Sequence, residues 1–139
     1  MSESADIVTV SHDHFDHRAV EEVSGNPQVK NTPAREKIGE ITIYGMKSFH
    51  DSSGGRERGE NIIFIIDSEN IKIAHLGDLG TIPSGEIMDE LCKVDIMLIP
   101  VGGVFTIGPQ EAKEIVDKVS PRIVIPCLLY TSDAADEGL

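Results

Sequence analysis

Short apolar runs alternate with polar and glycine-rich stretches along the whole chain. Ile7-Val8-Thr9-Val10 predicts a short buried strand that runs straight into Ser11-His12-Asp13-His14-Phe15-Asp16-His17. Ala19, Val20 and Val23 predict a short helix, closed by Gly25-Asn26-Pro27. Residues 28–40 read as polar and irregular, and Pro33 argues against one long helix there. Ile41 to Phe49 predicts a strand ended by His50. The loop of residues 51–60 holds Gly54, Gly55 and Gly59, which predicts a turn-rich, mobile segment. The apolar runs Ile62–Ile66 and Ile71–Ala74 flank Asp67-Ser68-Glu69-Asn70 as in a hairpin. The second of them leads into His75-Leu76-Gly77-Asp78.

Ser84 reads as the cap of a helix whose apolar stripe is Ile87, Met88, Leu91 and Cys92, with Cys92 in the core. Asp95 to Pro100 predicts a buried strand ending in Val101-Gly102-Gly103. Gly108-Pro109-Gln110 opens a second helix with Ala112, Ile115, Val116 and Val119 on its inner face, and Pro109 suits the first helical position. Arg122 to Pro126 predicts the last strand. The order strand, helix, three strands, helix, strand, helix, strand predicts an α/β architecture with helices layered on sheet. His12, His50, Asp78 and Gly102 all fall at strand ends, where a site on the rim of a sheet draws its residues.

Composition narrows the class. A chain of 139 residues suits one domain, and 40% hydrophobic residues suffice for a core. Aromatics make up 4% and Trp is absent, so that core rests on Ile, Val and Leu, which favour strands. The formal charge of -12 disfavours nucleic acid and anionic membranes as partners. It suits a protein that collects divalent cations, and it suits simple solubility equally well. Cys92 and Cys127 form no paired motif, so a reducing cytoplasm is the expected location. The N-terminus carries no secretory pattern, and no apolar stretch is long enough to span a membrane.

The chemistry concentrates in the first motif. His12, His14, Asp16 and His17 lie within six positions after a buried strand, and imidazole and carboxylate are common ligands of zinc and related metals. In an extended segment His12 and His14 point the same way and can grip one ion. Asp16 and His17 follow as the chain turns, so they face a neighbouring position. A polar loop that merely happens to be rich in histidine is the bland alternative. It is disfavoured because three of the five histidines fall here beside two aspartates.

Ser11-His12-Asp13-His14-Phe15-Asp16-His17 matches the HxHxDH signature and resembles the metallo-β-lactamase superfamily. His50, at a strand end before a glycine-rich loop, resembles that family's third histidine. Asp78, in Gly77-Asp78-Leu79-Gly80, resembles its bridging aspartate. The segment Asp95 to Gly103 resembles the branch that includes ascorbate-6-phosphate lactonase. The resemblance covers nearly all of residues 5–126. It implies an αββα sandwich and two divalent metal ions, zinc first, with manganese or iron open. It places His12, His14 and His50 on one ion and Asp16 and His17 on the other, with Asp78 between them. It further implies a hydrolase whose metal-bound hydroxide attacks an ester, lactone or phosphodiester-type bond, with Asp16 also orienting the hydroxide as a catalytic residue. The substrate is expected to be a small molecule, an anionic one included; oligomeric state is open. A non-catalytic metal-binding scaffold, or an inactive fragment of such a hydrolase, is the alternative.

Two departures from the family pattern stand out. The strands that usually precede the histidine motif are not seen before residue 12. The last histidine expected after Arg122-Ile123-Val124-Ile125-Pro126 is replaced by Cys127. Residues 127–137 resemble the in-frame translation of a transposase-type sequencing adapter. The expected organisation is therefore a partial metallo-hydrolase domain at 1–126 and a non-native tail at 127–139. A divergent tail with Cys127 as a replacement ligand is the competing reading. Three other polar groups have bland readings that are favoured. Arg56 and Arg58 could hold an anionic substrate but read as solvated loop charges. His75 reads as packed with Ile71 and Ile73 or as a partner of the ligands. Asp51 reads as a turn former.

Overall fold

The computed structural model describes residues 3–12 and 20–127. Eight strands and two α-helices follow one another as β1 (Ile7–Thr9), β2 (Gln28–Lys30), β3 (Arg35–Ile38), β4 (Ile41–Phe49), β5 (Glu60–Ser68), β6 (Ile71–His75), α1 (Glu86–Leu91), β7 (Ile96–Pro100), α2 (Pro109–Val119) and β8 (Ile123–Cys127). Among the described residues, a 3-10 turn, Val20–Glu22, lies where the short helix was expected, and Ala19 lies outside them. Strands β3 to β8 form one sheet in sequence order, antiparallel as far as β6 and parallel from β6 to β8. The parallel steps require crossovers, and α1 and α2 supply them. Strands β1 and β2 form a second, two-stranded parallel sheet.

The layering follows from the pleat. On one face of the large sheet Ile63, Ile65, Ala74, Met97 and Ile99 pack against Leu91 of α1 and Ala112, Ile115 and Val119 of α2. Each such buried aliphatic side chain contributes about 1.5–3 kcal/mol. On the other face Ile43, Ile62 and Phe64 pack with Ile7 of the small sheet. The N–H of Ile62 donates to the Ser11 carbonyl at 2.7 Å, tying the segment after β1 to the centre of the large sheet. Among the described residues, helices, large sheet and small sheet thus form three successive layers, α, β and β, of the expected four-layer αββα sandwich.

Four expectations need correction. Residues 28–40 are not irregular throughout, because β2 pairs with β1, and β3 forms a hairpin with β4 around Gly39 at φ 60°. Gly85, not Ser84, caps α1, and no side chain caps it. Cys92 lies just past the end of α1 and is exposed rather than core. His75 does share a face with Ile71 and Ile73, yet it too is exposed.

Candidate metal centre

Three elements deliver the site. β1 ends just before His12, β4 ends at His50, and the turn after β6 carries Asp78. Nε2 of His12 and Nε2 of His50 each lie 2.9 Å from the same atom, Oδ2 of Asp78. The two imidazoles meet edge to face, with centroids 5.1 Å apart and planes at 87°. One donor atom from each of the three residues falls within a 4.8 Å cluster. His50 and Asp78 are buried, and the His12 side chain is only 6% exposed.

Electrostatics follow from this packing. Burial opposes charge on Asp78, but the hydrogen bonds and charges of His12 and His50 outweigh it and hold the carboxyl well below the usual carboxylate range. Burial likewise lowers the His50 pKa, and the bond and charge of Asp78 overcome it, for a net rise. Two imidazole nitrogens and a carboxylate converging in a desolvated pocket are a donor set that suits a divalent transition metal.

The supports of these side chains were invisible in the sequence. Oγ of Ser11 lies 2.9 Å from Nδ1 of His12 and fixes the ring with Nε2 inward. Asn61, with no exposed surface, accepts from the Asp78 N–H at 3.0 Å and donates to the Leu76 carbonyl and to Ser48 Oγ, both at 2.9 Å. Gly80 packs so tightly on the His50–Asp51 backbone that a Cβ there would overlap it. Asp51 does more than turn the chain. Its carboxylate accepts from the N–H groups of Ser53, Gly55, Glu57 and Arg58 and from the Ser53 hydroxyl. The Arg58 N–H leads in pushing its pKa down, well below the ordinary value, against burial. The glycine-rich loop expected to be mobile is thereby pinned from within.

His12, His50 and Asp78 are therefore brought together. His14, Asp16 and His17 lie outside the described residues. Cys127 ends β8, and burial pushes its thiol pKa up. The rest of the expected tail, 128–139, also lies outside the described residues. Arg56 is exposed, whereas Arg58 is half-buried.

A mixed sheet flanked by helices and a second sheet, with two histidines and an aspartate gathered beside strand ends, is an arrangement of the metallo-β-lactamase type. The model of the beta-lactamase superfamily domain matches residues 1–128, and the chain belongs to that family. A metal-dependent hydrolase of Thermococcus onnurineus is 31% identical over 147 residues, covering 88% of this chain and 66% of its own length. One from Caldivirga maquilingensis is 32% identical over 146 residues, covering 87% and 63%. Among solved structures, a Thermotoga maritima protein described as a Zn-dependent hydrolase of the metallo-beta-lactamase superfamily is 37% identical. It superposes with a TM-score of 0.78 over 95% of this chain and 63% of that one. A metal-dependent hydrolase from Parabacteroides distasonis shares the fold at 18% identity, with a TM-score of 0.73 over 98% of this chain and 71% of that one. The chain thus spans just under two thirds of the length of the curated relatives named here.

Proposed function

We propose that this chain carries the metal centre of a hydrolase that cleaves an ester, lactone or phosphodiester-type bond in a small molecule. The observation that carries the reading is the convergence of His12 and His50 on one oxygen of buried Asp78, from points far apart in the sequence. In this reading His12, His14 and His50 hold one divalent ion, Asp16 and His17 hold a second, and Asp78 reaches both. Zinc is the first candidate, before manganese and iron. A bound ion of this kind supplies a water acidic enough to ionise near pH 7 and a charge that polarises the scissile group.

The chain's own residues do the rest. Ser11 and Asn61 fix the rotation of His12 and the height of Asp78 before any substrate arrives. Asp78 stays ionised in its pocket, so it is always a ligand and not an acid. Asp16, beside His17 in sequence, is assigned the orientation of the attacking water. The Asp95–Gly103 segment supports a lactonase-like branch, and the acidic net charge supports a small molecule over nucleic acid. We assign the hydrolase domain to residues 1–126, with 127–139 as a foreign tail. The two free cysteines support a cytoplasmic location.

The test is His14→Ala in the metal-loaded, full-length parent. Hydrolysis is expected to fall to background while circular dichroism stays native, because losing a ligand removes the ion that would activate the water. Normal turnover would remove His14 from the site, and the two-ion assignment with it.

A further inference from the structure

Arg58 stands apart from the other cation of its loop. It is half-buried, and its guanidinium lies over the Phe105 ring, 5.0 Å from the centroid. Together with Ser11, His12, Thr32 and Ile62 it lines a cavity of about 1040 Å³. Its backbone is fixed by the 2.7 Å bond from its N–H to Asp51. Glu60, on the same cavity wall, is paired with Lys47 at 2.6 Å. Among the described residues, ion pairs engage five lysines and the two site histidines, and none engages Arg58.

A half-buried guanidinium needs compensation for lost water. Stacking on Phe105 satisfies its face, and its edge donors remain suited to a planar or tetrahedral oxyanion. We propose that Arg58 anchors the substrate: it binds a carboxylate or phosphate group remote from the bond that is cleaved, while Phe105 holds the guanidinium in place. Phe105 and Val104, 45% and 64% exposed, extend an apolar surface beside that anchor for the substrate's uncharged part. The proposal rests on the hydrolase reading, so its test separates binding from turnover.

Binding is measured by calorimetry with N-phenylsuccinamate and phenylphosphonate, which carry the two oxyanions and resist hydrolysis. Each is titrated into the metal-loaded and the chelator-treated chain. The expected result is that Arg58→Ala weakens binding of at least one probe about 10- to 100-fold in both forms, the range for a charge-assisted hydrogen bond. Arg58→Gln, which keeps a polar planar group but not the charge, weakens it similarly, and Arg56→Ala does not. The tighter probe tells carboxylate from phosphate. In the kinetic arm, the preference for p-nitrophenyl hydrogen succinate over p-nitrophenyl butyrate falls by the same factor through KM. Equal binding by wild type and both Arg58 variants overturns the anchor, as does binding of neither probe, or an equal loss in Arg56→Ala. Arg58-dependent binding without turnover of either ester keeps the anchor and removes the hydrolase reading. Turnover with no dependence on Arg58 does the reverse.

Discussion

Asn61 satisfies the Asp78 N–H, the Leu76 carbonyl and the Ser48 hydroxyl from a position with no exposed surface. Truncating it removes the partner of the Asp78 N–H and of the Leu76 carbonyl, while the Ser48 hydroxyl keeps its bond to the Asn61 backbone carbonyl. Asn61→Ala is expected to cost about 1–3 kcal/mol for an unsatisfied buried group and to weaken metal binding about 10- to 100-fold, as loss of a ligand's hydrogen-bonding partner does. Urea unfolding and competition with a chromophoric chelator measure the two effects. A stability loss with unchanged metal affinity would leave Asn61 a core role only. The three residues that converge were legible as candidates, His12 by type and spacing within its motif, and His50 and Asp78 by their places beside strand ends. Their supports were not. An asparagine opening an apolar strand, a serine before a histidine and a glycine two residues after Asp78 carry no pattern of their own. Their roles exist only once β4, β5 and the turn after β6 are side by side. Arg58 was read as solvated for the same reason, since Phe105 is 47 positions away in sequence.

At the scale of elements, the two faces of the large sheet differ sharply. Ala74, Met97 and Ile99 face α1 and α2 and are buried. Their neighbours Ile73, Ile96 and Ile123 lie in one register row, as do Leu98 and Ile125, and alternate to the opposite face. There Ile71, Ile123 and Ile125 are 45%, 52% and 45% exposed. Strand β8 is also an edge of the sheet, so exposed apolar side chains and unpaired backbone groups coincide on it. The double substitution Ile123→Thr, Ile125→Thr is expected to reduce concentration-dependent light scattering while changing unfolding free energy by no more than about 0.5 kcal/mol per site. A large destabilisation would mean that this face is packed in solution. Most elements followed from the hydrophobic pattern, since β4, β5, β6, β7 and α2 each bury a periodic apolar set. β2 and β3 did not. β2 is three residues long and held only by parallel pairing to β1, and β3 is a mostly exposed edge made of Arg35, Glu36, Lys37 and Ile38. Neither buries enough apolar surface locally to leave a period in the sequence.

For the whole molecule, the family and its layered fold were legible from the order of motifs, which no single segment carries. The number of ions the chain holds is a property at this scale too. In the proposed assignment His12, His14, His50 and Asp78 would make a full set for one ion, whereas the second would have His17, Asp16 and a shared Asp78. Cys127 is a poor substitute, because burial pushes its thiol pKa up and so opposes the thiolate that would bind a metal. Native mass spectrometry is therefore expected to show one tightly held ion and a second that is weak or missing. Two equivalent tight ions would revive Cys127 as a ligand. The division of the known donors between two sheets also has a kinetic meaning. β4, β5 and β6 form a continuous antiparallel meander, and His50 and Asp78 sit at its ends, 28 positions apart. Contacts of that kind close early, because short loops cost little entropy. His12 arrives on the separate parallel pair β1–β2, whose strands return only after an intervening segment. The centre is therefore expected to assemble in two stages, a half-site on the meander followed by docking of the small sheet, so that an ion meeting the folding chain early would find two donors waiting for a third.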